Sequence, residues 1–224
     1  MTNEQVSRLN TKAYAFLWLE WTILFILIPF VLRFWWQPKL FFAIFLSATV
    51  FVSTWLLRHP KFDRRLLWWG SEAQNEYLQL KRILRRFVVC GSMMIVLVFF
   101  VFPGNFFDMP REKPLLWSLV MILYPLLSVY PQELIYRTFF FERYRQLFPT
   151  YWFAIVASAV VFGFVHIIYQ NQLAVFFTLI GGFFFAETYA YTRSLRLVWL
   201  EHALYGCLIF TIGLGEFFHH GRVG

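Results

Sequence analysis

Long uncharged stretches, separated by short charged ones, organise this chain. Leu40 to Leu57 holds 18 residues without a charge, Phe87 to Phe107 holds 21, and Pro114 to Gln132 holds 19. A bilayer core takes about 20 residues of helix, and backbone groups in lipid must be satisfied within their own segment, so helices are the expected form. Seven segments follow: about Ala13 to Leu32, interrupted by Glu20; Leu40 to Leu57; Phe87 to Phe107; a long one starting near Pro114; Tyr151 to Tyr169; Leu173 to Tyr191; and Leu197 to Leu214. The fourth meets Pro125 and Pro131, and its pattern resumes through Glu133, Arg137 and Phe141 to about Leu147. Proline inside a helix kinks or breaks it, so a kinked long helix, or two end to end, is expected there. The fold class is all-α: a polytopic membrane helix bundle of about seven transmembrane helices.

The polar stretches read as connections. Residues 1–12 form a polar N-terminal tail, and 13–224 a single membrane domain without internal repeats. Residues 58–86 carry eight Lys/Arg residues, while Glu72, Glu76, Leu78, Leu80 and Ile83 follow an amphipathic pattern. A surface helix and a solvated basic loop are equal readings. Phe148-Pro149-Thr150 and Arg193-Ser194 are turns.

Composition agrees with lipid as the solvent: apolar residues make up 60% of the 224, against roughly 45–50% in soluble domains. The first apolar run is too long for a signal peptide and lacks a small-residue cleavage site, which makes it an anchor. Net charge is +8, and no nucleic-acid motif accompanies it. Placing the N-terminus in the cytoplasm puts 15 basic residues in inside loops and 5 outside, the bias that orients membrane proteins. Cys90 and Cys207 both fall in apolar runs and read as packing residues.

Against this background, a few ionisable residues stand out. Glu133 precedes Arg137 by four residues, and His166 and His202 lie inside or at the edge of later apolar segments. Charged groups at membrane depth are costly and usually face the bundle interior or a wet cavity. A structural i,i+4 ion pair accounts for Glu133 and Arg137 taken alone. About the Pro149 turn, Glu133 and His166 lie at nearly equal distances along antiparallel helices, so they are expected within about 5 Å of one another, directly or through one water. His202 fits less well, because its distance from the Arg193-Ser194 turn is about half as great. Glu187 is its candidate partner across that turn. Glu201, its neighbour, points about 100° away, and Glu20 has no evident partner.

Three spaced motifs, Glu133-x-x-x-Arg137, Phe162-x-x-x-His166 and His202-x-x-x-Gly206, resemble in order and spacing the CAAX protease and bacteriocin-processing family of intramembrane proteases, also called CPBP or Abi. Gly181-Gly182, Arg193-Ser194-Leu195 and Trp199-Leu200-Glu201-His202 look like its last two helices. The resemblance spans a catalytic core at about 115–214. It implies an intramembrane endopeptidase acting on a membrane-associated protein or peptide in the lipid bilayer, in a bacterial inner membrane. The implied catalytic residues are Glu133 as base, His166 sharing the water or protonating the leaving amine, and His202 as donor to the oxyanion. Gln132, Arg137, Phe162 and Gly206 support them. Two positions depart from the family pattern: its first glutamate is Gln132 here, and its closing asparagine is Gly206. No cofactor is expected, with zinc on Glu133, His166 and His202 as the alternative. A catalytically degenerate member serving as immunity factor, scaffold or regulator is the alternative function, and a proton-relay transporter is a third.

Overall fold

The structure is a computed structural model describing residues 11–35, 38–70 and 76–218. Seven helices long and apolar enough to cross a membrane account for most of it: α1 (Thr11–Phe34), α2 (Pro38–Arg58), α3 (Glu76–Val101), α4 (Pro114–Leu147), α5 (Tyr151–Tyr169), α6 (Gln172–Thr192) and α7 (Leu195–Ile212). No strand occurs among the described residues. The chain is an integral membrane protein with an all-α bundle fold. Half of α5 and half of α7 is buried, against 11% of α2, so α5 to α7 form the centre and α2 the lipid-facing periphery. Outward residues such as Phe42, Val50, Phe100 and Leu115 are exposed, as expected where the surroundings are acyl chains. Residues 1–10 of the N-terminal tail lie outside the described residues.

Local chemistry sets the helix ends. The Thr150 hydroxyl accepts from the Phe153 amide at the start of α5, the Asn171 side chain from Leu173 and Ala174 at the start of α6, and Ser194 from Leu197 at the start of α7. Each satisfies an amide that the first turn of a helix leaves unpaired. Close packing of α5 on α6 depends on glycine. A Cβ at Gly163 would stand 3.1 Å from the Leu179 backbone, and one at Gly182 would stand 3.0 Å from the Phe162 ring.

Of residues 58–86, 59–70 connect two spans through one short 3₁₀ turn, Arg64–Leu67, and 71–75, with Glu72, lie outside the described residues. From Glu76 the chain is already one helix with the third span, running to Val101. Two of its basic residues, Arg82 and Arg86, look inward, while Lys81 and Arg85 are exposed. Arg86 reaches Glu187 at 2.8 Å and Glu201 at 2.5 Å, and Arg82 reaches Glu187 at 2.7 Å. Thr188 donates to the other Glu201 oxygen at 2.6 Å. The cations on α3 thus neutralise carboxylates on α6 and α7, which a periodicity argument confined to one helix does not reveal. Glu187 therefore pairs with arginines and not with His202. Glu20 has partners too: Arg143 at 2.7 Å and the Tyr144 hydroxyl at 2.6 Å, tying α1 to α4.

α4 carries the candidate chemistry and is irregular where that chemistry sits. It is one continuous helical rod, widened to π-type turns at Pro125–Val129 and Leu134–Phe139, with a single regular turn, Tyr130–Glu133, between them. Pro125 and Pro131 each lack the amide that would continue the regular ladder, and such wide turns recur at functional sites. The helix runs through both prolines without a break.

Candidate active site

Glu133 is completely buried. One carboxylate oxygen lies 2.7 Å from His202 Nδ1, and the other lies 3.2 Å from Arg137 Nε. Arg137 is also fully buried. Its guanidinium donates to the Ser158 hydroxyl at 2.8 Å and to the carbonyls of Tyr136 and Gly182 at 3.0 and 3.3 Å. It also faces the Phe162 ring at 4.8 Å. A buried ion pair persists only if such bonds replace the lost water; here α4, α5 and α6 each supply some. Arg137 is therefore the tie that holds Glu133 in place.

The antiparallel register differs from the one the Pro149 turn implies. Arg137 and Tyr136 meet Ser158, so the level of Glu133 on α4 corresponds to Phe162 on α5, one turn short of His166. No hydrogen bond joins Glu133 to His166 among the described residues. Glu133 meets His202 instead. α7 runs antiparallel to α4, with Trp199 Nε1 on the Pro125 carbonyl at 2.7 Å and Trp117 Nε1 on the Thr211 hydroxyl at 3.0 Å. The wide turns of α4 bring Glu133 round to that helix.

The protonation pattern follows from these partners. A carboxylate only accepts, so His202 carries its proton on Nδ1, and its Nε2, 3.1 Å from the Tyr124 hydroxyl, presents a lone pair. In His166 the Nδ1 donates to the Phe162 carbonyl at 2.7 Å, so its Nε2 carries a lone pair as well. The Phe162 ring packs against both histidines, 5.0 Å from the His166 ring and 5.5 Å from the His202 ring. Phe185 stacks on His202 at 4.6 Å.

Both histidines line a cavity of about 630 Å³, together with Tyr124, Ser128, Gln132 and Gly206 and a predominantly apolar wall that includes Met93, Phe176 and Phe184. A second apolar cavity of about 540 Å³, between α1, α2 and α4, shares Tyr124, Ser128, Gln132 and His166 with the first. Two apolar spaces thus converge on one polar patch. Gln132 faces it, with its amide donating to Ser128 at 2.7 Å. Glu133, next in sequence, points into the protein behind His202 and lines neither cavity. Tyr124, Ser128 and Ser158 were not singled out from the sequence. A signal existed for the first two: Tyr124, Ser128 and Gln132 stand four residues apart, a polar stripe on one face of an apolar helix.

Among the described residues no three His, Cys, Asp or Glu side chains form a group able to hold a metal ion. One Glu133 oxygen faces His202 and the other is in ion-pair contact with Arg137. Cys90 and Cys207 are free thiols.

Fold and site together define a polytopic membrane protein with a buried Glu–Arg–His cluster whose histidine lines a largely apolar cavity. Residues 114–208, running from the start of α4 into α7, match the family described as type II CAAX prenyl endopeptidase Rce1-like, in line with the motifs noted in the sequence. The match supports a general intramembrane protease kind. No curated protein and no solved structure matches the chain.

Proposed function

We propose that the protein is an intramembrane endopeptidase in which a water held between His166 and His202 attacks a peptide carbonyl. The observation that carries this reading is the Glu133–His202 contact behind two imidazole lone pairs on one cavity. The water gives one hydrogen bond to each Nε2. His202 takes the proton as oxygen attacks, and Glu133 stabilises the imidazolium, as an orienting carboxylate does in other His-based hydrolases. His202 then returns the proton to the leaving amine as the C–N bond breaks. Gln132 orients the water, and Arg137 and Phe162 fix the two bases. In this scheme Glu133 acts through His202 and not directly on water, because it does not reach the cavity. The apolar cavities suit a substrate that arrives from the bilayer, and a lipid-modified C-terminal peptide, as the family description implies, is a fitting candidate. The basic-residue bias supports a cytoplasmic N-terminus, and a bacterial inner membrane is the setting the sequence resemblance implies.

One observation favours a second reading, a non-catalytic regulator or immunity factor: the cavity presents no carboxylate, since Gln132 stands there and Glu133 does not. The deciding experiment is mass-spectrometric analysis of a farnesylated Cys-a-a-X peptide and an unmodified transmembrane peptide, incubated with the purified wild type, His166→Ala and His202→Ala. Cleavage by wild type and its loss in both variants supports the protease. Binding without cleavage by all three supports the regulator.

A further inference from the structure

The proteolytic reading leaves one requirement open. Attack on a carbonyl places negative charge on its oxygen, and a preorganised donor must meet it. Neither histidine supplies one, since both offer lone pairs to the cavity. Glu133 and Arg137 are sealed behind them. The candidates are therefore the neutral hydroxyl and amide groups on the cavity wall.

Tyr124 stands out among these. Its hydroxyl lies 3.1 Å from His202 Nε2, where it can only donate while His202 is neutral. Its ring packs edge-on against Phe210 at 5.2 Å, in addition to its place on the cavity wall. Its position depends on Gly206: a Cβ there would collide with the Tyr124 ring carbons and hydroxyl oxygen. The phenol therefore occupies the space that any side chain at 206 would enter. The absence of a side chain at one position and the presence of a hydroxyl at the other are one arrangement.

We infer that Tyr124 is the oxyanion donor of this protein, admitted to the site by Gly206. The inference rests on the proteolytic reading and adds a step to it. Without substrate, the Tyr124 hydroxyl caps the His202 lone pair. When the attacking water takes that place, the hydroxyl is released to donate to the substrate carbonyl oxygen. Water oxygen bonds to the carbonyl carbon, the C=O pair moves onto oxygen, and Tyr124 holds that oxygen by a hydrogen bond without transferring its proton. The water proton goes to His202 Nε2 and leaves on the amine, so Tyr124 ends unchanged.

The test uses the full chain in detergent with the farnesylated Cys-a-a-X peptide as probe. Tyr124→Phe keeps the ring and removes only the donor. It should lower kcat by about 10²–10³-fold, the loss typical of one oxyanion donor, with KM little changed. Gly206→Ala should also lower kcat by displacing the phenol. Tyr124→Ala should be weak, and adding Gly206→Asn to it should restore activity, because an amide at 206 reaches the vacated space. Wild-type kcat in Tyr124→Phe overturns the assignment and leaves the protease standing. Absence of cleavage by wild type, or full cleavage by His202→Ala, overturns the protease reading and the Tyr124 assignment with it.

Discussion

Glu133→Gln separates two jobs that one carboxylate performs. The first is structural. Glu133 and Arg137 side chains are both fully buried, so the pair belongs with interior ion pairs, where removing one partner costs about 3–5 kcal/mol, and not with surface pairs. Glutamine keeps the shape and one acceptor oxygen, so we expect the lower end, about 3 kcal/mol. For a chain of this size that is a melting shift of roughly 6–12 °C. The second job is chemical. A glutamine amide turned toward His202 Nδ1 forces the imidazole proton onto Nε2 and removes the lone pair that takes the water proton. Replacement of the orienting carboxylate by an amide in a comparable triad costs about 10⁴-fold in kcat, and a similar loss is expected here. Adding Arg137→Met removes the orphaned cation, so Glu133→Gln/Arg137→Met should recover most of the lost stability and none of the activity. Thermal unfolding in detergent and peptide cleavage read the two effects separately. Full activity in Glu133→Gln would refute the chemical role, and activity restored together with stability in the double variant would show that Glu133 is structural only.

Three further outcomes are expected. Gln132→Ala should weaken cleavage modestly, whereas Gln132→Glu, which adds a carboxylate to the cavity wall that both histidines line, should raise kcat by up to about 10²-fold, the low end for a positioned base; an unchanged rate in steady-state kinetics would show that position 132 does not touch the water. Arg86→Ala orphans the buried Glu201 and should lower stability by about 3 kcal/mol, measured as a drop in melting temperature; an unshifted melt would mean the α3 clasp carries no net energy. With Cys90 and Cys207 replaced, a cysteine at Lys61 should resist impermeant maleimide applied to intact cells, and ready labelling would reverse the proposed orientation.

Much of this protein was legible in one dimension. Uncharged runs near bilayer length fixed the number and order of the spans, because lipid leaves the backbone no alternative to helix. Pro125 and Pro131 marked the irregular part of α4, and Glu133, Arg137, His166 and His202 stood out because ionisable groups are costly in apolar segments. What the sequence did not reveal is which of these meet. Distances counted from a turn assume straight helices of uniform pitch, and α4 has two wide stretches that depart from it; the hydrogen bond of Glu133 is to His202, which turn counting does not single out. The partners of Glu20, Glu187 and Glu201 come from helices distant in sequence, and linear spacing carries no information about them. Gln132 faces the cavity and Glu133 the core because adjacent helical residues diverge by about 100°; the sequence gives the divergence, and only the packing of α5, α6 and α7 against α4 decides which of the two is turned inward.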